Sequence, residues 1–527
     1  MSASREKKIR QELAQSGIPD IKEIRAAEER KQQRRANWLY GSVAAAFVVI
    51  AAALLIWNSN IIQRGSTAIS VDGVKYSAAE VSYYYYNAFN NVAGGEYAGY
   101  ISLNAYTPLT QQVMNDTDLL FMGVSLEEGQ EEMTWHEFFL DIAKDNLIHQ
   151  TAVLNAAKAE NFAFTDEMKA EEDATIAAMD AYAKQSGVTT ATYLKNLFGP
   201  SMTTPVFKDL LHNALIVSFF QEQYWDSLTY TGDQLQDYYE ENRAAFDVAD
   251  YEYIYFKGTA DSTKDADGKT VAPTDEQNAA AKAAAEAAAK AALARYEAGE
   301  DLETIAKDYK MATYYHQEAG TNSGGTVQTW VFDDSRTAGD KTMLNSGSTY
   351  YVAGFTSRSR NDYDSVNVRH ILCKVDTTGL DSTAADYNTK LQVLIDAQEV
   401  EAQAILDEWK AGAADAESFA KLANEKSDDT GSNTNGGLYT QVGKGEMVTE
   451  FNDWIFDESR QVGDTDIIFV DAVNYTGYHV MYFDGWGAPY WELQVENTMR
   501  NNDYAEWTTA LVEGLEAEEH NGLKYVG

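Results

Sequence analysis

The chain has 527 residues, is 45% hydrophobic and 12% aromatic, and carries a formal net charge of −41. That length points to roughly three to four domains with cores of their own, and a surface this acidic repels phosphates, which excludes nucleic acid as a partner. A single cysteine, Cys373, excludes an intrachain disulfide and a cysteine-based zinc site.

The charge is uneven. Residues 1–37 hold ten Lys/Arg and six Asp/Glu, a net of +4, so the remainder carries −45. Residues 38–57 hold no charged side chain. A run of that length spans a bilayer as a helix. Trp38, Tyr40 and Trp57 stand at its ends, where aromatic belts form. Arg30, Lys31, Arg34 and Arg35 precede it, which places 1–37 in the cytoplasm as a basic segment and 58–527 outside. Asn58-Ser59-Asn60 is a poor cleavage site, so an uncleaved signal anchor in the cell membrane is the expectation, ahead of a cleaved signal peptide.

An alternating run from Thr67 meets an Asp72-Gly73 turn, and Ser77 opens a helix. This start resembles the N-terminal domain of SurA- and PrsA-type foldases. Residues 134–230 read as helices, with Phe138, Phe139, Ile142, Leu147 and Ile148 as one apolar set and Leu210, Leu215 and Phe219 in another. A further helix starts at Asp233 and ends near Phe246, before a strand-like run from Tyr251 to Phe256. Residues 279–294 are Ala-rich and helical by propensity. Asp265-Ala266-Asp267-Gly268 lacks the Glu of a calcium loop and reads as a hairpin or surface loop.

An internal repeat follows. Trp330-Val331-Phe332-Asp333-Asp334-Ser335-Arg336 recurs as Trp454-Ile455-Phe456-Asp457-Glu458-Ser459-Arg460, with Gly-Asp after each copy at 339–340 and 463–464. Tyr253-Ile254-Tyr255-Phe256 lines up with His370-Ile371-Leu372-Cys373, and Tyr350-Tyr351-Val352 with Tyr478-His479-Val480. Two copies of one domain are expected at 250–360 and 366–488. Residues 490–527 form an amphipathic tail carrying Trp491, Leu493, Val495, Met499, Tyr504, Trp507, Leu511 and Leu515.

The second copy holds the chemistry. His370 and His479 lie on two apolar, strand-like runs, and between them come Asp429, a Gly436-Gly437-Leu438 turn, Met447 and Phe451. Two imidazoles beside an apolar cup suit a prolyl peptide bond, whose rotation needs no nucleophile, cofactor or metal. No His-x-His or His-Glu-x-x-His spacing supports a metal site.

This constellation resembles the parvulin (PpiC-type) family of peptidyl-prolyl cis-trans isomerases. The resemblance implies catalytic roles for His370, Asp429 and His479, a proline cup of Leu438, Met447 and Phe451, and a hydroxyl near Thr476. Two departures lie beside the site: the glycine turn lacks the usual Asp, and Asn474 stands where a Thr is usual. In the first copy Tyr253 and Tyr351 replace the histidines, and the stretch matching Met447 and Phe451 is missing, so that copy is expected to be inactive.

The expected fold class is multidomain α+β. It comprises a transmembrane anchor, a helical SurA-N-like chaperone domain from 58–249 completed by 490–527, and two parvulin-like domains of a small antiparallel sheet with surrounding helices, the first degenerate. The expected function is a membrane-anchored foldase, both isomerase and chaperone, acting on unfolded or newly exported polypeptides without a cofactor. The rival is a non-catalytic holdase that uses both parvulin folds as scaffolds. Oligomeric state stays open, a homodimer through the helical domain included.

Overall fold

The computed structural model describes residues 48–49, 65–104, 106–126 and 129–527. The basic segment and, but for 48–49, the anchor expected at 38–57 lie outside the described residues. Among the described residues no helix is long and apolar enough to cross a membrane. The chain divides into two compact units, one holding 65–228 with 503–527 and the other Thr229–Asn502.

In the first unit, β1 (Thr67–Val71) turns through Asp72 and Gly73, both at positive φ, into β2 (Val74–Ser77). Two positive φ angles match the twist of a tight hairpin, which is why Asp-Gly occupies the turn. Ser77 and Glu80 form a capping box that starts α1 (Ala78–Ala93). Replacing Ser77 by Ala is expected to cost about 1 kcal/mol, read as a lower urea midpoint for this unit. Then come α2 (Asp116–Met122), α3 (Trp135–Ala159), α4 (Asp166–Gln185), α5 (Thr190–Phe198) and α6 (Thr204–Ser227). Trp135, Phe139 and Leu147 of α3 pack with Ile69 and Tyr85 in one core.

The C-terminal tail is more than one amphipathic helix. Ala517–Glu519 is a strand that pairs antiparallel with β1, and Val526 enters the same core. Ala-Glu-Glu has no strand pattern of its own; the open edge of β1 imposes the conformation.

The second unit opens with α7 (Gly232–Glu241) and α8 (Arg243–Phe246). The unit boundary therefore falls at 228/229, not 249/250. Leu235, Tyr239 and Phe246 are buried with Trp491 and Val495, which draws this segment and residues 490–502 into the second unit. The first sheet follows as β3 (Asp247–Phe256), the hairpin β4 (Thr263–Lys264) and β5 (Thr270–Val271), α9 (Asp275–Glu297), α10 (Leu302–Lys307), β6 (Ala312–Gly320), α11 (Thr326–Val331), β7 (Lys341–Ser346) and β8 (Thr349–Arg360). The second has β9 (Asp364–Lys374), α12 (Tyr387–Ala411), α13 (Ala416–Lys426), β10 (Leu438–Val442), α14 (Thr449–Ile455), β11 (Thr465–Asp471) and β12 (Thr476–Pro489); α15 (Tyr490–Val512) follows, its residues up to Asn502 belonging to this unit.

The two sheets share one strand order, β6-β3-β8-β7 and β10-β9-β12-β11. Their registers also agree. Ile254 faces Val352 under α9, and Ile371 faces Val480 under α12. That register sets Tyr253 at the position of His370 and Tyr351 at that of His479, as the sequence repeat requires.

Candidate active site

Alternation along β9 sends Ile371 and Cys373 to the helix-covered face and His370 and Leu372 to the other. Burial pushes the Cys373 thiol up to about 12, so it is a structural group. In β12, His479 lies opposite Leu372, diagonal to His370 on the same face. The two buried rings stack with centroids 5.0 Å apart, and their Nδ1 atoms are 2.8 Å apart.

Asp429 follows α13 and closes this pair from the outer side. Its Oδ2 lies 2.9 Å from His370 Nε2 and accepts from Ser432 Oγ at 2.5 Å and Tyr439 OH at 3.0 Å; its Oδ1 accepts from the Gly431 amide. The His370 hydrogen bond, reinforced by those of Ser432 and Tyr439, holds the carboxyl well below the usual carboxylate range against the opposing effect of burial. At the far end Tyr475 OH lies 3.0 Å from His479 Nε2.

These contacts fix one direction of donation for neutral imidazoles. An ionised Asp429 accepts only, so His370 Nε2–H donates to it and His370 Nδ1 accepts. His479 Nδ1–H then donates to His370, and His479 Nε2 accepts from the Tyr475 hydroxyl. Burial, with His370 beside it, pushes His479 down to about 3, which keeps the ring uncharged.

Between about pH 6.5 and 3 the unfolded chain takes a proton at His479 that the fold refuses, so stability falls as pH falls through that window. From pH 6.5 to 5 this one group contributes a loss on the order of 2 kcal/mol. Urea unfolding at the two pH values is expected to show it, and His479→Gln to flatten it.

The open side of the pair carries an apolar patch. Phe451 of α14 meets both rings edge to face, at 5.4 Å from His370 and 5.5 Å from His479. Met447, Leu372 and Tyr439 join it in a cleft of about 410 Å³ whose lining also includes Lys374, Asp428 and Glu446. Gly437 brings the loop close to β9. It sits at φ +69°, and a Cβ there would stand 2.2 Å from the His370 carbonyl oxygen. The His370 amide donates to the Gly437 carbonyl in return.

Of the seven residues read from sequence, the fold brings His370, Asp429, His479, Met447 and Phe451 together. Leu438 is not among them. It pairs with Arg369 and so points to the helix side, while Tyr439, opposite Val368, takes the site-facing place. Thr476 also misses the cleft, and its hydroxyl donates to Asp471 Oδ1 at 2.7 Å. Asn474 and Tyr475 line the cleft in its stead. Sequence reasoning missed Tyr439, Tyr475 and Ser432; a parity count from His370 across the paired strands would have found the first.

Residues 355–481 match the family model of the PPIC-type PPIase domain. The second sheet and its helices therefore form a PPIC-type PPIase domain. The parvulin resemblance read from His370, Asp429 and His479 is borne out. The chain is also similar to solved foldases. A peptidylprolyl isomerase, PrsA, from Bacillus anthracis is 23% identical over 28% of this chain and 57% of its own, with a TM-score of 0.17. The foldase protein PrsA from Streptococcus pneumoniae is 12% identical over 74% and 90%, with a TM-score of 0.23. A SurA-like chaperone from Campylobacter jejuni is 14% identical over 84% and 94%, with a TM-score of 0.17. No curated protein is significantly similar to the chain.

Proposed function

We propose that this chain is an extracytoplasmic foldase, held in the cell membrane by residues 38–57, that isomerises prolyl bonds in newly exported polypeptides and holds those chains while they fold. The observation that carries the catalytic part is the directed series Tyr475, His479, His370, Asp429 running beside the Met447–Phe451 cleft. The charge-free run after a basic segment supports the anchor.

Amide rotation is opposed by a resonance barrier of about 18–20 kcal/mol. A site lowers it by binding the twisted amide better than the planar one. The Met447 and Phe451 side chains would take the proline ring and keep water from the bond. Asp429 would act by its fixed charge on the changing amide dipole, held in place by Ser432, Tyr439 and His370. His479 and Tyr475 would orient His370 and take no proton themselves. No covalent intermediate is needed, and Cys373 faces away.

The first sheet has no such machinery: tyrosines hold both histidine positions, so its role would be non-catalytic. The test is exchange of a prolyl tetrapeptide, which uncatalysed takes about 10–100 s. The full chain is expected to shorten that time. Suppressed aggregation of an unfolded client without any isomerisation would favour the holdase reading instead.

A further inference from the structure

In the first unit, α1, α3 and α6 line an open cavity of about 490 Å³. That volume falls within the range of small-ligand sites, roughly 300–1,000 Å³. Its polar wall includes Asn87, Asn91, Asn146, His149, Gln150, Ser218 and Gln221, with Tyr83 and Tyr84 beside them. None of the lining side chains is Asp, Glu, Lys or Arg, in a chain that carries 82 acidic and 41 basic residues. The wall is built at helical spacing, Asn146 and Gln150 on α3 and Ser218 and Gln221 on α6, so each helix turns one polar stripe to the same space.

Gln150 is only 5% exposed, and its Nε2 has no hydrogen-bond partner. A buried donor left unmade opposes folding, and native proteins seldom keep one without use. Its amide turns about a soft terminal torsion, so the donor can reach a ligand in the cavity. Gln221 Nε2 donates to His149 Nε2 at 3.2 Å. Burial lowers the His149 pKa, which keeps the wall uncharged at neutral pH.

We propose that this cavity binds the main chain of an extended polypeptide through its peptide groups. A carboxamide presents a donor and an acceptor in one plane, the same pair that a peptide group presents, so Asn and Gln side chains match backbone in either direction. The absence of charge removes any preference for ionic ligands, and the tyrosine rings cover the Cα carbons between peptide groups. Such a wall reads what all clients share. This deepens the chaperone half of the function proposed above and is independent of the isomerase half.

The test uses the full chain and an amidated heptapeptide of alternating Ala and Ser carrying fluorescein on its N-terminal amine, which offers no proline to the PPIase domain. Anisotropy is expected to show binding, weakened about tenfold by methylating the central backbone nitrogens of the peptide. Gln150→Met, of similar shape but without donors, is expected to weaken binding about fivefold while the melting temperature stays level or rises. Gln221→Met is a second variant should Gln150→Met fold poorly. No binding by the wild type, equal binding of the methylated peptide, or unchanged affinity in both variants would overturn the proposal. Prolyl isomerisation measured on the same samples separates the two readings. A chain that isomerises but ignores the heptapeptide refutes the cavity alone, and one that binds it without isomerising refutes the enzyme alone.

Discussion

Phe451→Ala is expected to lower kcat/KM on a prolyl tetrapeptide by about a hundredfold, because the ring meets both histidines and is proposed to take the proline ring. Phe451 is 2% exposed and packs with Val366, Trp454 and Met481. Truncation also leaves a cavity under the cleft and costs about 3–5 kcal/mol of stability. Activity should therefore be read well below the melting temperature of the variant, with Phe451→Leu as the partner that keeps volume. Leu is expected to recover most of the stability and part of the rate. A folded Phe451→Ala chain with undiminished activity would remove the ring from the proline cup.

Asp429→Ala should be at least as damaging, by about 10²–10³ in kcat/KM, the usual cost of deleting a preorganised electrostatic group. Its carboxylate is the common acceptor for His370, Ser432 and Tyr439. Without it the donated series has no end: the His370 proton is free to shift between its two nitrogens, and the His479 contact loses its fixed direction. Asp429→Asn keeps the shape but loses the charge and turns an NH2 donor toward the Gly431 amide from which Oδ1 accepts, so it is expected to recover little. Cys373→Ala serves as the control, because its thiol lies on the opposite face of β9 and should leave the rate unchanged. Near wild-type activity in Asp429→Ala would mean that the carboxylate only knits the loop to the sheet.

What depends on residue type and order was legible in the sequence. His370, Asp429, His479, Met447 and Phe451 are set by which residue occurs where along the chain, and the repeated Trp-x-Phe-Asp-x-Ser-Arg segment revealed two sheets of the same strand order. What failed depended on pairing. Leu438 and Tyr439 are adjacent, and only the register against β9 decides which one faces the histidines. Thr476 and Tyr475 differ in the same way at the start of β12, and the tyrosine meets His479. The strand at Ala517–Glu519 and the cluster of Tyr239 with Trp491 join residues hundreds of positions apart. No local pattern encodes either, because the partner supplies the conformation in one and the burial in the other.

The most direct test of the account is prolyl isomerisation by the full chain, measured for the wild type, Asp429→Ala and Tyr351→Ala side by side. Tyr351 holds in the first sheet the place that His479 holds in the second. The account predicts exchange well above background in the wild type, near-background exchange in Asp429→Ala, and an unchanged rate in Tyr351→Ala. A wild type no faster than the uncatalysed peptide, or a rate that survives loss of Asp429, would contradict it.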